Sequence, residues 1–523
     1  MKSTILLLFG LVILTFVGNT QPNVLVGTDL DKQAEKDWQN NNYKLAAASY
    51  ERLINLMPNN AVYCYRFGVA NYMAGLDNTK SLKALEPLMG NSKAPTDVSY
   101  WIAMTYMSQY LFTDAIDMFN TFITTPDLKQ EQITESKRYV EMCESAIVLM
   151  NKPVNVSFDN LGPNINSSSN DYNPFVPKNE EFLVYTSDKK FDEGTKMFDQ
   201  NIYISYPEKN SWSFSKPLQY INTNDNERTV GLSNDGKKLF VCGSFQKSYS
   251  EVDMALLKSK LFKFETANDW FHPIAIKSSN GACISSDNNT VYISQENKEG
   301  KGKSDIYVVK KLPNGTWGPL KNLGDVINTI YDETCPNISP DGKTLYFASK
   351  GHNSMGGYDL FVTFLNEITG EWTKPTNLGY PINTPGDDLT ISFSSNRRYG
   401  YVSSIRKEGM GGQDIYRVTF KDNDELLTVV KGKIVVATEK GNEDWNSENA
   451  ELDISVYDLK QNLFGKYIYN NRLGRFIAAL PLGEYKLIIQ AHGYNEYNGN
   501  IIILDRDLYQ PETEKIFSLS LKK

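Results

Sequence analysis

The chain has 523 residues, 62 acidic against 54 basic, and a formal net charge of −8. That length exceeds what one hydrophobic core holds, so roughly three or more domains are expected; mild acidity without a long basic run interleaved with aromatics speaks against nucleic acid and for protein, glycan or envelope partners. Cys64, Cys143, Cys242, Cys283 and Cys335 include no CxxC pair and make no disulfide framework, so small buried thiols are expected.

The first residues have the order of a secretory signal. Lys2 is followed by the apolar run Ile5–Val17 and the small-residue exit Gly18–Gln21, which places a signal peptide at 1–20 with cleavage after Thr20. An uncleaved membrane anchor is the alternative. No cysteine stands beside the exit, so a lipidated amino terminus is not expected, and no later run approaches a membrane span. Membrane association is then peripheral and through a partner.

Residues 21–151 read as helical and repetitive. A nine-residue step from a small residue to the next turn recurs at Ala34/Tyr43, Gly68/Asp77 and Ala103/Phe112. Small and aromatic residues three and four apart then place knobs and holes on matching helix faces, with a period of about 34 residues. The segment Tyr43–Asn60 resembles the second helix of a tetratricopeptide repeat: Tyr43, Ala46 and Tyr50 carry the pattern and Pro58 closes it. The resemblance implies a surface that binds a peptide or a partner's helix, or an array that braces its neighbours. A last helix is expected over about Gln130–Leu149, capping the stack.

From 152 to 422 the chain repeats itself five times at about 55 residues. The registers Asn173–Ser187, Glu227–Ser244, Gly281–Ser294, Glu333–Ser349 and Asp388–Ser404 are each a turn between two alternating apolar runs, and so a hairpin. Downstream come a polar turn, a strand led in three repeats by Asp305, Asp359 and Asp414, and connectors bearing Trp212, Trp270, Trp317 and Trp372. About four strands per repeat result, as a propeller blade needs. The leading Asp residues are read as acceptors for turn N–H groups, and the Trp residues as covers for the gaps between blades. The stretch Asn160–Asn166 matches Asn322–Asn328 and Asn377–Asn383, so the passage out of the helices already belongs to a blade.

Residues 423–523 change to short alternating strands, over Glu425–Ala437, Ala450–Leu459, Gly465–Asn470, Gly474–Tyr494 and Glu514–Lys523. They suit a small seven-stranded sandwich and resemble the carboxypeptidase regulatory-like domain, a structural or adhesive module. The expected protein is therefore multidomain, with α-helical tetratricopeptide-like repeats, a five-bladed β-propeller and a carboxy-terminal β-sandwich.

No catalytic set stands out. His272, His352 and His492 sit in unrelated contexts, and no nucleophile elbow or phosphate loop occurs. The carboxylate pairs Asp332/Glu333 and Asp387/Asp388 occupy corresponding positions in successive repeats, which suggests a structural or ion-lining role; a glycoside hydrolase is the remote alternative. No cofactor is expected. Calcium in these acidic loops is the one ion considered, without a complete ligand set.

The turn Pro340-Asp341-Gly342, and nearly as well Asp235-Gly236, resembles the WD40-like β-propeller repeats of the TolB type. The order of parts is similar to multidomain outer-membrane-associated proteins of Bacteroidetes, including components of type IX secretion and gliding machinery. Such proteins commonly continue into an OmpA-like domain and begin with a lipidated cysteine; both are expected to be lacking here. The resemblance implies a non-catalytic scaffold in the periplasm, associated with the outer membrane and holding outer-membrane or periplasmic proteins. The alternative is an extracellular or surface protein whose propeller takes a glycan.

Overall fold

The computed structural model describes residues 23–192, 197–208, 211–219, 221–222, 226–243, 249–253, 265–266, 281–394, 397–422, 427–446, 450–503 and 510–522. The expected signal peptide, Trp270 and His272 lie outside the described residues. Two compact units make up the chain, Met1–Ile102 and Ala103–Lys523. No helix among the described residues is long and apolar enough to cross a membrane.

The first unit contains α1 (Asn23–Gln39), α2 (Tyr43–Leu56), α3 (Ala61–Met73) and α4 (Asn78–Leu85), then a 3-10 turn at Glu86–Leu88; α5 (Val98–Ser108) crosses the division. Each of the first four helices packs on the next element. The three- and four-residue spacing of Ala46, Tyr50 and Leu53 puts them on one buried face, where they meet Ala34, Phe67 and Ala70. Helix starts are fixed by side chains: the Asn60 carboxamide accepts from the Val62 and Tyr63 N–H groups, and Asp77 accepts from Thr79 N–H. Gly68 lets α3 and α4 approach closely, since a Cβ there would stand 2.5 Å from Leu85 Cγ. Arg66 pairs with Glu35 and lies 4.7 Å over the Trp38 ring, tying α3 to α1.

The second unit opens with α6 (Phe112–Ile123) and α7 (Gln130–Met150), whose Phe119 and Tyr139 rings stack at 5.4 Å. It continues as mostly antiparallel β-structure. Five four-stranded antiparallel sheets follow. The first is Asp171–Phe175, Leu183–Asp192, Met197–Ser205 and Lys216–Pro217; the second is Glu227–Leu232, Lys238–Gly243, Tyr249–Asp253 and Glu265–Thr266. The third is Gly281–Ile284, Thr290–Gln295, Asp305–Lys310 and Lys321–Asn322; the fourth is Glu333–Ile338, Thr344–Ser349, Asp359–Phe364 and Thr376–Asn377. The fifth joins Ile391–Phe393, Tyr399–Ser404 and Asp414–Phe420 to Val156–Asn160, a strand from the far end of the repeat region.

These sheets succeed one another in a closed circle. Asn173 Nδ2 donates to Thr229 O between the first and second sheets, and Val230 and Phe240 share a core with Ala282 and Ile293 between the second and third. The Ser294 and Thr334 hydroxyls meet at 3.2 Å, Asn337 Nδ2 donates to Ile391 O, and Val176 N–H donates to Ser392 Oγ, which carries the circle back to the first sheet. The described connector Trp residues pack on the preceding sheet: Trp372 lies 6.3 Å from the Tyr292 ring, Trp212 lies 5.9 Å from Tyr401, and Trp317 packs on the core that includes Val230 and Phe240.

Residues 427–522 form two further four-stranded sheets around one apolar core that includes Val430, Ile434, Phe476, Leu487, Ile489 and Phe517. One sheet holds Leu427–Thr438 between Phe476–Pro481, Gly441–Asp444 and the parallel strand Glu512–Ser520. The other is Leu463–Tyr467, Leu452–Asp458, Gly483–Ala491 and Tyr497–Ile503. Seven strands were expected and eight are present among the described residues. Two of the eight fall outside the expected ranges, Tyr497–Ile503 and Gly441–Asp444; the second is folded back on Val435–Thr438 by a tight turn in which Gly441 takes a φ of 124°.

Candidate functional site

Each strand-leading aspartate of the ring is a turn acceptor. Asp305 accepts from Lys301 N–H at 2.8 Å and Gly302 N–H at 3.0 Å, Asp359 from Met355 N–H at 2.9 Å, and Asp414 from Met410 N–H at 2.6 Å. Each also takes a bond from the asparagine that ends the fourth strand of its sheet: Asn322 at 2.8 Å, Asn377 at 2.7 Å and Asn160 at 2.8 Å. A second asparagine six positions on, Asn328, Asn383 or Asn166, donates to the first and exchanges two bonds with the backbone of the residue after the aspartate. The repeated Asn-Leu-Gly segments are therefore fasteners for the third strand of the third, fourth and fifth sheets.

The hairpin turns use another device. Asp235 accepts from Ser233 Oγ at 2.6 Å and from Lys237 N–H at 3.1 Å, with Gly236 at a φ of 68°. Asp341 accepts from Ser339 Oγ and, at 2.9 Å, from Lys343 N–H, with Pro340 between them and Gly342 at a φ of 71°. Sequence reading missed a third copy, Ser285 to Asp287 with Asn288 at a φ of 57° in place of glycine. The Ser-x-Asp spacing was the available signal. Hydrogen bonding from Ser285 and from Asn289 N–H holds the Asp287 carboxyl below its ordinary value.

Four buried acids stand at or just before the first strands of their sheets. Glu227 is 2% exposed, Glu333 and Asp171 0%, and Asp388 3%. Glu333 takes bonds from Thr329 N–H, Thr329 Oγ1 and Ser349 Oγ; Asp388 takes bonds from Thr384 N–H and Oγ1. Burial pushes Glu333 up to about 7 against these bonds and does the same for Asp359. Asp388 is raised well above the ordinary range by burial and then by the Asp359 charge. The neighbouring Asp332 and Asp387 accept backbone N–H groups of Ser304 and Tyr358 at corresponding places. Burial thus favours the protonated forms of Glu333, Asp359 and Asp388, and the same burial removes them from contact with a sugar in solvent. Among the described residues no group of three His, Cys, Asp or Glu side chains lies together as a metal would require. His352 is packed between Phe347 and Phe361 with Nε2 3.0 Å from Ile327 O, and burial lowers its pKa; His492 is exposed. All five cysteines are free thiols.

Two cavities could take a ligand. The first lies where the hairpin turns of four of the ring's sheets converge, lined by Phe175, Lys178, Asn234, Asn337, Tyr346 and Arg397 among others; about 30 Å³ of it is open to water. That is room for about two water molecules. The second lies in the first unit across α2, α3 and α4 and offers about 500 Å³. Ala61, Cys64, Phe67 and Leu88 are its buried floor, Ile54 and Ala84 its walls, and Asn55, Pro58, Asn59, Lys83, Pro87 and Asn91 its exposed rim. Of the residues singled out from the helical repeats, only Pro58 reaches this groove. Ala46 and Tyr50 are core, and Tyr43 donates to Asn41 at 2.8 Å.

No protein-family model matches the chain, and no curated protein does. Solved structures align at low similarity. A complex of BT0996 with RGII gives a TM-score of 0.37 at 7% identity, over 54% of this protein and 95% of that one. Fructan 1-exohydrolase IIa from Cichorium intybus with 1-kestose gives 0.27 at 9% identity over 66% and 90%. A puromycin-hydrolyzing peptidase of Mycobacterium tuberculosis gives 0.26 at 11% over 69% of this protein, which spans 51% of the peptidase.

Proposed function

We propose that the protein is a non-catalytic adaptor that holds a protein partner in the groove of its first unit. The observation that carries this reading is the contrast between the two cavities: the groove, at about 500 Å³, falls within the roughly 300–1,000 Å³ typical of ligand sites, whereas the central cavity of the ring takes about two waters. In this reading the first unit is a tetratricopeptide-like array, the circle of sheets is a five-bladed propeller of the WD40-like TolB type, and the last two sheets are a carboxypeptidase regulatory-like sandwich. The setting given by the resemblance is the periplasmic face of the outer membrane, with type IX secretion or gliding assemblies as the host complex.

The glycan reading draws on Phe175, Tyr346 and Phe393, which line the central cavity. A sugar ring is far larger than the space there, so a glycan would have to sit on an outer face of the ring. The adaptor reading is tested by affinity purification from gently solubilised envelopes, comparing the native chain with Ala84→Trp, which fills the groove wall. A stoichiometric envelope partner recovered with the native chain and lost with the variant is the expected result. Equal recovery with both, or a native chain recovered alone from conditions that preserve envelope complexes, overturns it.

A further inference from the structure

We infer that the groove across α2, α3 and α4 takes an extended polypeptide segment that inserts a bulky apolar side chain and presents carboxylates to Lys83. The inference rests on the docking reading above and names the chemistry of the occupant. The groove runs between the second helices of two successive pairs, α2 and α4, over the amino-terminal half of α3. Its floor of Ala61, Cys64, Phe67 and Leu88 is apolar, and burial raises the Cys64 thiol pKa, so that it stays neutral while its Sγ donates to Pro58 O. An uncharged floor of this size rewards an apolar side chain that leaves water.

The rim fixes the rest. Lys80 is held by Glu51 at 2.7 Å, which balances that pair and leaves Lys83 as the lining cation without an ion pair among the described residues. The groove is thus net positive in a chain whose net charge is −8. Asn55 and Asn59 stand exposed along the same rim, while the Asn91 carboxamide oxygen accepts from Lys93 N–H at 2.9 Å. Carboxamides present a donor and an acceptor together, which matches the alternating C=O and N–H groups of an extended backbone. A helix would satisfy those backbone groups internally and leave the amides without a role. An acidic extended segment with an aromatic or leucine side chain meets the floor, the amides and the cation at once.

The test uses the full chain and two fluorescein-labelled peptides, Gly-Ser-Asp-Leu-Phe-Asp-Ser-Gly and its analogue with both aspartates replaced by asparagine. Fluorescence anisotropy is expected to show the acidic peptide binding about fivefold tighter at low salt, the range an exposed ion pair supports, with the preference fading at about 0.5 M salt. Lys83→Glu should abolish the preference while leaving the analogue's affinity within about twofold, and Ala84→Trp should abolish both. Lys83 is exposed, so its variant tests charge without threatening the fold. Equal affinities, a preference that survives Lys83→Glu, or no binding of either peptide overturns the inference. In the last case the docking reading is decided separately, by whether Ala84→Trp still loses the envelope partner.

Discussion

At the residue scale the ring keeps its acids out of water, and this has a pH signature. Glu333 and Asp359 are fully buried, and burial pushes both up to about 7. In the folded state they hold protons at a pH where the unfolded chain has released them. Their contribution to stability is therefore complete below the ordinary carboxylate pKa and is lost as pH rises through about 7, at up to about 1.4 kcal/mol per pH unit for each group. The melting temperature should fall from the ordinary carboxylate pKa, about 4.5 for Glu333, up to about pH 7 and level off above it, and Glu333→Gln, which keeps an acceptor for Thr329 N–H, should flatten that fall. A slope unchanged in the variant would show that Glu333 titrates normally.

At the element scale, legibility followed local chemistry. The five hairpins could be read because each is a turn between two alternating apolar runs, and the Ser-x-Asp bonds that close three of those turns are contacts within a few residues. The Asn-Leu-Gly fasteners were legible as repeats, but their role was not, because Asn328 acts on Ile306, twenty-two positions earlier. The groove stayed hidden for a related reason. Its floor joins Cys64 and Phe67 of α3 to Leu88 of a 3-10 turn, a juxtaposition made by helix packing rather than by periodicity. Gly68 is the residue that sets this packing. In an open helix Gly→Ala would stabilise by about 1 kcal/mol, but here the new Cβ meets Leu85 Cγ at 2.5 Å, and Leu85 is 0% exposed with no room to turn aside. Overpacking at about 1–3 kcal/mol should win, so Gly68→Ala should lower the chemical-denaturation midpoint of the first unit and weaken peptide binding in the groove. A stabilised variant would mean that α4 shifts freely over α3.

At the scale of the whole molecule, the ring depends on a strand that arrives from the wrong end of the repeat. Val156–Asn160 pairs with Asp414–Phe420 and covers what would otherwise be an open edge, so the circle is held by a contact between residues more than 250 positions apart, as in Asn160 to Asp414. Phe158 is the anchor of that strand. Its ring packs 6.3 Å from Tyr416 and lies under the Arg406 guanidinium at 3.4 Å, while Arg406 also donates to Pro381 O at 2.7 Å. Removing the half-buried ring takes away apolar contact and leaves the half-buried Arg406 guanidinium without its platform, a loss of about 1–3 kcal/mol. The consequence should reach past one sheet. Once the closing strand detaches, the fifth sheet loses its outer strand and Asp414–Phe420 becomes an open edge, so Phe158→Ala should lower the main melting transition of the second unit and open the segment before Asp171 to limited proteolysis. Tyr172→Phe, inside the first sheet and remote from the closing strand, is the control for a purely local change. If Phe158→Ala melts with the native transition and resists protease equally, the circle is held by its inter-sheet contacts alone and the closing strand only decorates it.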